Sequence, residues 1–144
     1  MIQRIQTVYY FMTTVIGVLF LAGPIIFFDN GVFLTLFGIN GGKDAENLLL
    51  TALLILIPVL SFFLIFLYKN RKIQINLTLF LLIIIIVATA YAGYNVYSYS
   101  RQNSVSFEPG YKMILPVLML IFVALAYRGV KKDENIVRSY DRLR

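Results

Sequence analysis

Along this chain the apolar positions do not alternate with polar ones; they run together. Four stretches carry no ionisable side chain: Ile5 to Phe28, Asn47 to Tyr68, Ile73 to Ser100 and Met113 to Tyr127. A helix needs about 20 mostly apolar residues to cross the hydrocarbon core of a bilayer. The first three stretches meet that length. The fourth has 15 uncharged residues between Lys112 and Arg128, whose long stems can carry their charges out to the head groups. The pattern predicts an all-α integral membrane four-helix bundle over residues 1–128, with spans at about 8–28, 48–68, 74–97 and 111–128. Residues 129–144 read as a basic amphipathic tail with a short helix of its own.

The connections carry their own signals. Lys69 to Lys72 is a tight basic turn, which makes helices two and three antiparallel neighbours. Asp29 to Glu46 is a longer loop with an apolar patch, Val32-Phe33-Leu34 and Leu36-Phe37, suited to capping the bundle or lying in the interface. Asn40-Gly41-Gly42 then turns the chain, and Asp44 is a candidate N-cap for helix two. Ser100 to Gly110 is polar and ends in Glu108-Pro109-Gly110, a turn signal ahead of helix four. The first hydrophobic run is longer than a signal-peptide core and lacks a clean small-x-small cleavage pattern near Ala22-Gly23-Pro24, so it reads as an uncleaved helix.

Charge sets an orientation. With the N-terminus inside, ten of the 13 lysines and arginines are cytoplasmic, and only Lys43, Arg101 and Lys112 are external. Such a bias across short loops places both termini in the cytoplasm. Tyr9, Tyr10, Tyr68 and Tyr127 then mark the inner boundary and Tyr97, Tyr99 and Tyr111 the outer one, where amphipathic rings are favoured.

Composition sharpens the picture mainly by exclusion. Of 144 residues 60% are hydrophobic and 14% charged, more apolar surface than a soluble domain of this size can bury. Cysteine and histidine are both absent, which removes the usual ligands of zinc and haem, the commonest general base and any disulfide framework. No metal or cofactor is expected. All seven acids (Asp29, Asp44, Glu46, Glu108, Asp133, Glu134, Asp141) fall outside the spans, which argues against a proton-coupled transporter. No nucleophile has a base near it and no phosphate-binding glycine loop is present, so no enzyme is expected. The net charge of +6 follows membrane topology, not a nucleic-acid surface.

Two groups of residues stand out within this frame. Thr13 and Gly17, Ala88 and Ala92, and Thr89 and Gly93 pair small residues four apart, a spacing that lets helices approach closely. Pro58 removes a backbone donor in mid-span, an expected kink in helix two. At the cytoplasmic ends, Gln3, Arg4, Gln6, Lys131, Lys132, Arg138, Tyr140, Arg142 and Arg144 are candidate contacts for a protein partner or lipid head groups. The tail repeats Ile136, Val137, Tyr140 and Leu143 at helical spacing among basic residues, either a docking helix or one held by anionic lipid.

The opening Met1-Ile2-Gln3-Arg4-Ile5-Gln6-Thr7-Val8-Tyr9 and the closing Lys132-Asp133-Glu134, Val137-Arg138-Ser139 and Asp141-Arg142-Leu143-Arg144 resemble the ends of a bacterial family of small four-helix membrane proteins known only as a domain of unknown function. The resemblance implies four spans in the inner membrane and brings no activity or binding residue with it. The reading that follows is a non-enzymatic accessory or scaffold subunit, held in the bilayer by its helices and binding a protein partner, lipid or further copies of itself. The alternative is a small oligomeric transporter or channel, with Thr89, Asn95 and other polar span residues lining a shared pore.

Overall fold

A computed structural model describes residues 3–22, 26–28, 33–35, 38–39, 48–104, 106–108 and 110–142; side chains are described for these except at 3, 4, 26–28, 33–35, 38, 39, 69, 107, 108 and 138–142. Four helices dominate: α1 (Gln3–Leu21), α2 (Leu48–Phe66), α3 (Arg71–Asn103) and α4 (Ile114–Arg142). A 3-10 turn at Leu67–Lys69 joins α2 to α3, and another at Tyr111–Met113 leads into α4. Each helix packs on its neighbours in the chain, and α1 closes the ring by packing on α4. The result is an up-and-down four-helix bundle.

Three of the helical segments are long and apolar enough to cross a membrane: Leu48–Phe66, Arg71–Asn103 and Tyr111–Val137, with Ile5–Leu21 a shorter apolar helix. The shortfall therefore falls on helix one, not on helix four. Helix one was expected to run to Phe28, but it ends at Leu21. Proline biases its preceding residue away from the helical region, so Gly23-Pro24 ends the run, and Ile26–Phe28 forms strand β1.

β1 is part of a small antiparallel sheet with β2 (Phe33–Thr35), β3 (Gly38–Ile39) and β4 (Phe107–Glu108), in the order β3-β2-β1-β4. Phe27 faces Phe33 on one side and Glu108 on the other. The sheet thus ties the α1–α2 loop to the α3–α4 loop, at the end of the bundle opposite the Asn70 turn. Phe33 and Leu34 of the apolar patch, with Thr35, form its second strand. Val32, Leu36, Phe37, the Asn40-Gly41-Gly42 turn and Asp44 lie outside the described residues. At the same end α3 stops at Ser104, whose φ of 52° puts it in the left-handed region, and Lys112 Nζ donates to the Ala22 carbonyl beyond α1, as a cation near a helix C-terminus is favoured to do.

The tail differs from expectation as well. It is helical, but it is not a separate helix: α4 is continuous through Gly129 to Arg142. Pro116, Met119, Val123, Ala126, Val130 and Asp133 are all buried, a 3-4-3-4-3 spacing that keeps one face inward across the expected boundary. The boundary at residue 128 is therefore a change in the outer surface, not a break in the backbone.

The face that α1 turns inward is Gln6, Tyr10, Thr13, Gly17 and Phe20. Its polar members are paired. The Thr78 hydroxyl donates to the Gln74 carbonyl at 2.6 Å, so its one proton is committed and the Tyr10 hydroxyl, 2.6 Å away, donates to the Thr78 oxygen. Ser61 of α2 donates to the Tyr10 carbonyl at 2.9 Å and Gln74 to the Leu64 carbonyl at 3.2 Å. Thr13 donates to the Tyr9 carbonyl of its own helix. No buried side-chain nitrogen or oxygen among the described residues lacks a partner. The middle of the bundle is thus stitched from α1 to α2 and α3 by hydrogen bonds whose loss in a dry interior is costly.

Gly17 admits the close approach of α2. A Cβ there would lie 3.3 Å from Pro58 Cβ and 3.4 Å from its Cδ, so the buried proline ring fills the space a side chain would need. Gly17→Leu is expected to force α1 off α2 and destabilise the bundle by about 1–3 kcal/mol. Denaturation in mixed micelles, read by circular dichroism, measures this; Val18→Leu, on the exposed face, should change little.

Candidate functional site

The end of the bundle at the α2–α3 turn gathers groups far apart in sequence. Gln6 Nε2 donates to Asp133 Oδ2 at 2.5 Å, joining α1 to α4 across 127 positions. Arg71, at the start of α3, donates from Nη1 to the Asp133 backbone carbonyl at 3.3 Å. Gln6 and Asp133 are buried, at 8% and 9% exposure. Three helices are thereby fastened at one residue, Asp133, α1 through its carboxylate and α3 through its backbone carbonyl. Gly129 makes room for the Gln6 side chain: a Cβ there would sit 2.9 Å from Gln6 Cγ, closer than real Cβ atoms come.

Outward from this latch the surface is basic. Lys72, Arg128, Lys131 and Lys132 are exposed, and Lys131 Nζ lies 5.6 Å from the centre of the Tyr127 ring, a cation–π distance. An open groove of about 700 Å³ separates the α2–α3 turn from the far end of α4, lined by Tyr68, Asn70, Arg71, Lys72, Ile73, Glu134 and Val137. Ile136 and Val137 keep about 40% of their surface exposed on this end of α4.

The expected contact residues therefore divide. Lys131 and Lys132 are on the surface. Gln6 is not: its amide faces inward to Asp133, so it is a fastening residue and not a contact. The backbone of Gln3, Arg4, Arg138, Tyr140 and Arg142 is helical, with side chains outside the described set, and Arg144 lies outside it altogether. Among the packing candidates, Gly17 faces Pro58 of α2, and Thr13, Ala88 and Ala92 are buried within the bundle. Thr89 and Gly93 are exposed, and nothing lies within 4 Å of a Cβ built on Gly93.

Asp133 and Gly129 were not singled out in the sequence as a site. Part of the signal was there: Asp133 continues the inward spacing of Val123, Ala126 and Val130, which marks an acid on the buried face without naming the helix it meets. The polar stripe considered for a pore is differently placed. Thr89 donates to its own Ile85 carbonyl at 2.7 Å on an exposed face, while Thr13, Ser61 and Thr78 are enclosed and hydrogen-bonded. No group of three or more histidines, cysteines or acids capable of holding a metal exists among the described residues.

Removing Gln6 (Gln6→Ala) leaves a buried carboxylate without its amide, an expected loss of about 1.5–3 kcal/mol. Gly129→Ala gives a sharper test. In the natural chain it displaces Gln6 and destabilises; combined with Gln6→Ala the new methyl is free of the clash, and the substitution should then stabilise by up to about 1 kcal/mol through helix propensity. A double-mutant cycle of unfolding in micelles reads this change of sign.

Comparison with known proteins places the chain by family alone. No curated protein and no solved structure matches it. The sequence matches the family described as Domain of unknown function (DUF4293) over residues 2–143. That match takes in both halves of the Gln6–Asp133 latch, all four helices and the sheet between them, and this membrane protein belongs to the DUF4293 family.

Proposed function

We propose that the protein is a non-enzymatic accessory or scaffold subunit of the bacterial inner membrane, with both termini in the cytoplasm, whose basic end binds anionic partners. The observation that carries this reading is the latched extension of α4. Fifteen residues follow Tyr127 in α4, which is about 22 Å of helix. The segment is packed on the bundle through Val130 and Asp133, where Gln6 and Arg71 hold it; Arg128, Lys131 and Lys132 are exposed along this packed part, and Ile136 and Val137 follow just past the latch. A helical end with cations next to exposed apolar side chains suits an anionic surface, lipid or protein.

The orientation has a direct test, because the chain has no cysteine of its own. Single cysteines at Asn135 and at Gln102, both exposed, report the two ends separately. In intact cells a membrane-impermeant maleimide should label Gln102→Cys and leave Asn135→Cys unmodified until the cells are opened. The reverse pattern would invert the topology and remove the basic end from the cytoplasm.

The partner is tested by purifying a tagged copy in mild detergent, followed by mass spectrometry. Truncation for this purpose must fall after Glu134, so that the Asp133 latch survives. A stoichiometric partner is expected with the full chain, and its yield should fall roughly tenfold or more, an affinity change of about 1.4 kcal/mol, both on truncation and on Lys131→Glu with Lys132→Glu. If the protein comes alone in every case, the accessory role is wrong.

A further inference from the structure

Towards the Lys112 end, α3 and α4 part to leave a crevice of about 180 Å³. Its floor is deep in the bundle and contributed by three helices: Phe20 of α1, Leu54 and Ile57 of α2 and Met119 of α4, all buried. Its mouth is at the lipid-facing surface, where Thr89, Gly93 and Met113 are exposed. Protein interiors rarely leave such a volume unfilled.

The lining decides what can enter. The Thr89 hydroxyl, the sole polar side-chain group among the lining residues, already donates to the Ile85 carbonyl. Water would find only the Thr89 oxygen as a side-chain acceptor there, short of the two to four partners it needs, and apolar cavities of about 150 Å³ stay dry while admitting apolar guests. A helix from a second copy does not fit, because it is about 10–12 Å across with side chains. A polymethylene chain does fit, and in a bilayer such chains lie along the flank of α3 and α4.

We propose that this crevice is a binding site for one acyl chain of a membrane phospholipid. The chain enters beside Gly93, where the missing side chain leaves the wall open, and reaches Met119 and Ile57. Lys112, the residue before Met113 at the mouth, marks the head-group end. Lys112 is itself buried with its ammonium on the Ala22 carbonyl, so the head group stays outside the bundle and the site holds the acyl chain alone. The site is at the opposite end of the bundle from the basic part of α4 and does not depend on it.

The test is lipid retention by the full chain, purified in mild detergent and examined by native mass spectrometry after addition of phosphatidylglycerol, phosphatidylethanolamine or oleate. The natural chain should hold one phospholipid per copy through detergent exchange. Gly93→Leu fills the mouth from one side and should lower retention roughly tenfold through lost dispersion contacts. Thr89→Phe fills it from the same helix one turn away and should act alike, so that a folding failure of either variant, seen by circular dichroism, leaves the other to decide. Val87→Phe, exposed on the side of α3 turned away from Thr89 and Gly93, should retain lipid as the natural chain does. Three results would overturn the proposal: no lipid on the natural chain, equal retention in the filled variants, or oleate held where both phospholipids are not. A filled variant that changes oligomeric state while its lipid content stays constant would also overturn it and make the crevice an interface between copies.

Discussion

Within a bilayer, an apolar side chain meets the same kind of neighbour whether it touches lipid or another helix. Burial therefore contributes little to holding helices together, and close contact and internal hydrogen bonds must do so. In this protein both are concentrated on α1. Gly17 takes the Pro58 ring, Tyr10 reaches Thr78, the Tyr10 carbonyl receives Ser61, and Gln6 reaches Asp133. α1, 19 residues long like α2, is thus the helix to which all three others are hydrogen-bonded. Its polar inward face, which would be a defect in a helix judged on hydropathy alone, is the means of assembly.

The two ends of the bundle are finished differently for related reasons. At the Lys112 end the loops pair into a sheet, which satisfies backbone groups that could not be left open near lipid. At the other end a turn of a few residues joins α2 and α3, and side chains do the fastening. The first arrangement leaves an apolar crevice opening between α3 and α4; the second leaves an open, partly charged groove between the α2–α3 turn and α4 and carries a charged helical end. Proposed lipid binding and proposed partner binding are therefore separated by the thickness of the bundle, and a change at Gly93 and a change at Lys131 should not influence each other.

Much of this was legible in the sequence. Uncharged runs gave two of the four helices, α2 and α3, to within a few residues, because length and apolarity alone decide whether a backbone must be helical in lipid. The end of α1 was missed: hydropathy continues through Phe28, and the conformational effect of Pro24 outweighs it. The continuity of α4 was missed for the opposite reason. The jump in charge after Tyr127 suggested a new segment, while the inward spacing from Pro116 to Asp133 was unbroken. Gln6 looked like a contact because polar residues near a terminus usually face water, and only a partner 127 positions away shows otherwise. Pairings of that range leave no local trace. The crevice was equally out of reach, since it is set by how far two helices diverge and not by any one residue.

The Gln6–Asp133 bond also has a chronology. At about 5–20 residues per second, a ribosome that has made Gln6 needs roughly 6–25 seconds more to add Asp133. Before that interval ends, α2 has been made and Gly17 can hold Pro58, but the amide of Gln6 has not met its acceptor. The ring of helices can shut only after the final one has been inserted. An incomplete or misinserted copy therefore keeps an unmatched amide near the N-terminus and lacks its counterpart near the C-terminus, a chemical difference by which cellular quality control could tell finished molecules from unfinished ones.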